Sequence, residues 1–489
     1  MALILNYNSK NKTMRNIYIV LASAGMLLSS CTEDITDYNN DPKLPTAVPP
    51  ETLVANAEKN LADRITTISG TNVFRLWAQH WSQATYVDES NYLVIGRDPS
   101  QTYWTTYYNN VLNDLNSAVA LIEADEILEP TKKSNQLAII ETIKVYTYQH
   151  LVDLNGNIPY SESADINNLF PVYDDAETIY LDLISRISAA QAALAGGGES
   201  FGTNDIFYGG DVVKWRKLAN SVKLRLGMRL ADFNSALAST TVSEAVNAGV
   251  FTSNDDNTII YYESSPTTNI NPIYNLFEVE NRSEDYIAGE TSLNKLVELN
   301  DPRLDNYFAD NKDPYIGGPI GGNNSYANFT HLNFDIVGDP TYPGSIMDYV
   351  EVAFFQAEAV ERGFIAGDAE EFYNAGITAS ILYYGGTQDE VDAYLAQPSV
   401  AYATATGDYK QKIGTQKWIS LFNRGFEAWT EYRRLDWPEL ALSTQTQQEV
   451  PLRMIYPVKE SAVNGANYDA ASSAIGGDNL TTPLFWDVN

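Results

Sequence analysis

Apolar residues recur every third or fourth position through most of this chain, the spacing that puts them on one face of a helix. The clearest run is 212–232, where Trp215, Leu218, Ala219, Val222, Leu226 and Leu230 share a face. The same spacing predicts helices over 51–66, 72–84, 102–124, 132–154, 176–194, 348–362, 369–384, 388–396, 415–423 and 426–435. Phe233-Asn234-Ser235 reads as a break. Between about 251 and 343 the helical period fades, and Gly, Pro, Asn and Tyr become frequent. There Gly317-Gly318-Pro319-Ile320-Gly321-Gly322 reads as a loop and 258–262 as a short strand.

Arg362-Gly363 closes one helix and Asp368 can cap the next. This helix–turn–helix unit has the length of tetratricopeptide-like repeats, about 34 residues. The predicted fold is therefore mostly α: tetratricopeptide-like helix–turn–helix pairs form a scaffold. It carries a loop-rich, partly irregular ligand-binding insertion at about 251–343. Loops held on a rigid scaffold are where binding residues concentrate.

The first 30 residues have a different character. Lys10, Lys12 and Arg15 precede an apolar run at 17–28. That run is 12 residues long, against about 20 for a membrane span, and reads as the core of a secretory signal. Leu28-Ser29-Ser30-Cys31 resembles a bacterial lipobox, in which the cysteine is acylated and becomes the mature N-terminus. Cys31 is the sole cysteine, so an internal disulfide and a thiolate zinc cage are both excluded. The expected organisation is a signal peptide at 1–30, a lipidated tether at 31–50 and a helical body at 51–489. The tether is polar and contains Pro42, Pro45, Pro49 and Pro50.

Composition narrows the function. With 63 acidic and 31 basic residues the net charge is −32, which opposes nucleic-acid binding. It also opposes accumulation of polyanionic glycans, so neutral ones are favoured. His80, His150 and His331 form no metal-binding pair, and no P-loop is present. Gly198-Glu199-Ser200-Phe201-Gly202 fits the letters of a nucleophile elbow but lacks its strand-before, helix-after setting, so it reads as a loop. No cofactor is expected. Acid-rich loops could supply oxygens to a structural calcium.

Several blocks, in order along almost the whole chain after Cys31, resemble the SusD/RagB-like nutrient-binding outer-membrane lipoproteins, in the SusD-like branch. They are Asp153-Leu154-Asn155-Gly156-Asn157-Ile158-Pro159-Tyr160, Pro171-Val172-Tyr173-Asp174, Gly209-Gly210-Asp211-Val212-Val213-Lys214-Trp215, Asn300-Asp301-Pro302-Arg303-Leu304, Ala357-Glu358-Ala359, Glu431-Tyr432-Arg433-Arg434 and Phe485-Trp486-Asp487. Read as residues, these blocks specify the fold. In so acidic a chain Arg225, Arg229, Arg433 and Arg434 are expected to pair with carboxylates such as Glu358 or Glu431. The resemblance implies a lipid-anchored outer-membrane protein facing the cell exterior. It would bind oligosaccharides without cleaving them and cover a SusC-like TonB-dependent transporter. Peptide capture with the same partner is the alternative. A surface glycoside hydrolase or a ligand-free structural lipoprotein would be other classes; the former needs two carboxylates about 5–9.5 Å apart in one cleft.

Sugar binding uses flat aromatic rings against pyranose C–H faces, with polar groups on the hydroxyls. Tyr103, Trp104, Tyr107 and Tyr108 stand at helical spacing and read as packing. The candidates lie where the pattern breaks: Trp81 and Tyr86 at a helix end and Tyr92 in the loop after it. In the insertion they are Tyr274, Arg282, Asp285, Tyr286, Tyr315, Tyr326 and His331.

Overall fold

The computed structural model describes residues 48–488 except 164–166, 266 and 310. Cys31 and most of the tether lie outside the described residues. The body, Pro49–Asn489, is mostly helical.

Among the described residues, four pairs of successive helices make its frame. Pro130–Asn155 (α1) packs on Ala176–Ala193 (α2), and Val212–Arg229 (α3) on Ser235–Ala248 (α4). Tyr349–Glu361 (α5) packs on Ala369–Tyr383 (α6), and Tyr409–Ser420 (α7) on Gly425–Leu435 (α8). The tetratricopeptide-like pairing is thus present. Local sequence sets the starts. Asp175, Asp211, Asp348, Asp368 and Asp408 each accept a hydrogen bond from a backbone N–H of the first turn, at about 0.5–2 kcal/mol per cap. Ahead of α1, Pro99–Trp104, Thr105–Leu112 and Asn113–Ala124 form one continuous helix whose middle segment has π hydrogen bonding.

α4 was not expected. Its buried face is Ala238, Thr241, Val242 and Ala245. Such small residues carry little apolar signal yet allow close approach. A Cβ added at Gly227 of α3 would lie 2.9 Å from Val242 Cγ2.

The expected helix at 72–84 is also corrected. Only Phe74–Trp77 is helical; Gln79 turns into left-handed backbone at φ 56°, and Trp81–Gln83 becomes strand β1. β1 pairs antiparallel with Tyr286–Ala288 (β2), Trp81 opposite Ala288 and Gln83 opposite Tyr286. The insertion is loop-rich, as its composition predicts, but this pairing ties it to the helical body. The expected strand is present over Thr258–Ile260, paired with Gly344–Met347.

Buried charge locks the frame. Arg225 of α3 meets Glu351 of α5 at 2.7 Å, and Arg229 meets Glu427 of α8 at 2.6 Å as well as Glu431 and Asp153. Arg434 of α8 grips Glu358 of α5 with both guanidinium arms. The expected carboxylate pairing holds for Arg225, Arg229 and Arg434. Arg433 differs. It lies 3.5 Å over the Trp429 ring and donates to the carbonyls of Leu452 and Asp153. Burial brings its pKa down to about 9.

Candidate functional site

The β1–β2 pair sets Gln83 beside Tyr286, and the chain leaving β1 turns at once. Tyr86 adopts left-handed backbone, φ 53°, with 62% of its surface exposed. A bulky residue in this region is unfavourable and persists only where surrounding contacts hold it. Two contacts are visible. The Arg97 guanidinium lies 5.9 Å from the Tyr86 ring centroid and that of Arg282 lies 5.2 Å away.

Around this ring is a shallow polar notch, lined by Gln83, Thr85, Tyr86, Glu89, Arg97, Arg282, Asp285 and Tyr286. Its carboxylates are held in place. Glu89 is buried, ion-paired with Arg97, and accepts from Gln83 Nε2 at 2.9 Å. Asp285 is ion-paired with Arg282 and accepts from Thr85 Oγ1. Asn324 donates to the Gln83 carbonyl at 2.8 Å, which brings the 323–326 loop alongside. Tyr326 and His331 then stack, centroids 3.7 Å apart and planes at 12°. Burial, followed by Glu284 and Glu278, raises the Tyr326 phenol pKa.

The structure thus gathers Tyr86, Arg282, Asp285 and Tyr286 at one notch, with the Tyr326–His331 stack on the loop beside it. Three aromatic candidates are corrected. Trp81 is fully buried against Phe277, Tyr286 and Phe422. Tyr92 packs edge-on against Trp77 in the core, and Tyr286 is 4% exposed and stacked on Phe277. The rings of Trp81 and Tyr92 are packing surfaces, and Tyr286 packs on Phe277 while lining the notch floor. Tyr274 and Tyr315 are half-buried and do not line the notch; Tyr315 donates to Asp305 at 2.6 Å. Arg97 and Glu89 were missed. The signal available was a lone arginine in a Gly- and Pro-flanked loop of a very acidic chain.

No strand leads directly into Ser200, which follows a helix and a glycine run and whose Oγ donates to the Gly210 carbonyl at 2.8 Å. His80 is buried beside the Trp418 carbonyl, and burial lowers its pKa to about 3. Among the described residues no three metal-ligating side chains gather, and no helix is long and apolar enough to cross a membrane.

Comparison with known proteins decides the family. Residues 42–457 match the SusD-like_2 family, described as starch-binding and associating with the outer membrane. The chain belongs to the SusD-like family. No match is found among curated proteins. Solved structures agree with the assignment. A chitin-binding protein is 28% identical, with 89% of this chain and 100% of that one covered and a TM-score of 0.74. A chitin-binding SusD homologue from Flavobacterium johnsoniae is 25% identical over 89% of this chain and 99% of its own, with a TM-score of 0.76. A SusD homologue from Bacteroides uniformis is 25% identical over the same shares, with a TM-score of 0.74. SusD-like proteins are thus associated with the outer membrane and with glycan binding.

Proposed function

We propose that this SusD-like protein is a cell-surface lipoprotein that captures oligosaccharides and passes them, uncleaved, to a SusC-like TonB-dependent transporter. The observation that carries the reading is Tyr86: an exposed ring in left-handed backbone, flanked by Arg97 and Arg282 beside a strand pair. The ring offers a flat apolar face, and the two guanidinium groups offer donors to sugar hydroxyls.

Family membership and the two chitin-binding neighbours support a neutral glycan, and the net charge of −32 points the same way. Capture is favoured over hydrolysis because both acids of the notch are committed to arginines. Anchoring through Cys31 and the transporter partnership rest on the lipobox resemblance and the family.

The test is affinity electrophoresis of the purified protein in native gels containing starch, a soluble chitin derivative and anionic polysaccharides. Retardation by a neutral polymer, relieved by Tyr86→Ala, supports the reading. Co-purification with a transporter barrel tests the partnership.

A further inference from the structure

A cavity lies away from the Tyr86 notch, at the junction where the Pro99–Trp104 helix passes into its π segment. It holds about 150 Å³, below the roughly 300–1,000 Å³ of whole-ligand pockets and of a size for one head group. π segments inside helices occur frequently at functional sites. Trp104 and Tyr108, four residues apart across that junction, form an edge-to-face pair with centroids 5.4 Å apart on the cavity wall. Leu169 and Val463 make an apolar lip, 72% and 57% exposed.

The hydrogen-bonding balance of this cavity is one-sided. Trp104 Nε1 donates to Asn155 at 2.8 Å, Tyr108 Oη donates to the Pro159 carbonyl at 2.7 Å, and Ser163 Oγ donates to the Tyr160 carbonyl at 2.9 Å. These donors are used inside the fold. Glu460 also lines the cavity. It accepts from Tyr173 Oη at 2.5 Å and forms no ion pair among the described residues. A carboxylate is an acceptor with room for about four hydrogen bonds. Two electron-rich rings, an apolar lip and a carboxylate without a cation favour a ligand that is itself a cation on a carrier with apolar C–H surface.

We infer that this cavity is a second binding site, for an organic ammonium group on a carrier with apolar C–H surface, with Glu460 as its charge partner and Trp104 and Tyr108 as its aromatic wall. The ammonium can come from a de-acetylated amino sugar or from a lysine side chain, and the two sources are separable by experiment.

Calorimetric titration of the full protein would use three probes: a glucosamine tetrasaccharide with free amines, its N-acetylated counterpart and a short lysine-bearing peptide. At least one amine probe should bind, and Glu460→Gln should weaken it at least tenfold. Val463→Trp, which fills the mouth from an exposed position, should do the same. Glu126→Gln, an exposed acid elsewhere, should leave it unchanged, which separates the site from general attraction to an acidic protein. Binding of the sugar amine but not the peptide assigns a glycan source, and the reverse a polypeptide source. The N-acetylated sugar should depend on Tyr86 and not on Glu460, so failure here is distinct from failure of the glycan-capture reading. The inference is overturned if neither amine probe binds, or if binding is equal in wild type, Glu460→Gln and Val463→Trp.

Discussion

Replacing Tyr86 by glycine should separate binding from stability. The native backbone at Tyr86 is left-handed, φ 53°, a conformation costing a non-glycine residue about 1–2 kcal/mol. Glycine removes that cost. Against it stand two cation–π contacts at 5.2 and 5.9 Å, about 0.5–1 kcal/mol each at an exposed site. Glycine's extra freedom in the unfolded chain costs a further 0.5–1 kcal/mol or so. These terms nearly cancel, so unfolding free energy should change by no more than about 1 kcal/mol in urea titrations. Binding should change more. Losing one ring face against a pyranose removes about 1–2 kcal/mol, a five- to thirtyfold drop in affinity. Tyr92→Gly is the contrast, because Tyr92 is also left-handed, φ 62°, but buried against Trp77. It should lose about 3–5 kcal/mol of stability. If Tyr86→Gly keeps full affinity for the glycan that wild type binds, the site is misplaced. If it loses more than about 3 kcal/mol of stability, Tyr86 is structural.

Three further outcomes follow from the frame. Glu358→Ala leaves Arg434 buried without its two-armed partner and should cost about 3–5 kcal/mol in urea unfolding, whereas a paired Glu358→Met, Arg434→Met change should recover much of it. Burial, then the negative charge of Asp205, raises the Glu58 pKa, so its stabilising contribution is full below the unfolded value, about 4.3, and is lost as pH rises through the folded one. Glu58→Gln, which stays neutral at every pH, should gain stability over wild type as pH rises from about 4 to 8; identical pH profiles would contradict this. Gly425→Ala places a Cβ 2.5 Å from the Arg75 backbone nitrogen and should lower the melting temperature, with about 1–3 kcal/mol lost.

The sequence made legible those elements whose large apolar residues repeat at helical spacing. α3 and α5 are of this kind, as is the switch to irregular structure at the insertion. It hid α4, because Ala238, Thr241 and Ala245 pack by smallness rather than by hydrophobic mass. It misread 72–84, because β1 exists only through pairing with residues about 200 positions later. The candidate site divides in the same way. Broken periodicity located Tyr86, Arg282 and Asp285, which share a notch. Trp81, Tyr92 and Tyr286 came from the same segments but turn inward, since exposure is decided by tertiary neighbours that spacing does not encode. The arginine–carboxylate pairing was readable from scarcity of cations in an acidic chain, although Arg433 shows that aromatic rings and carbonyls can take a carboxylate's place.

The most direct test of glycan capture is electrophoresis of wild type and Tyr86→Ala side by side in native gels, with and without a neutral polysaccharide, followed by sizing of the polymer. Wild type should be retarded by at least one neutral polysaccharide, Tyr86→Ala should run nearer its sugar-free mobility, and the polymer should keep its length. Equal retardation of both proteins, no retardation by any polysaccharide, or a shortened polymer would contradict the account.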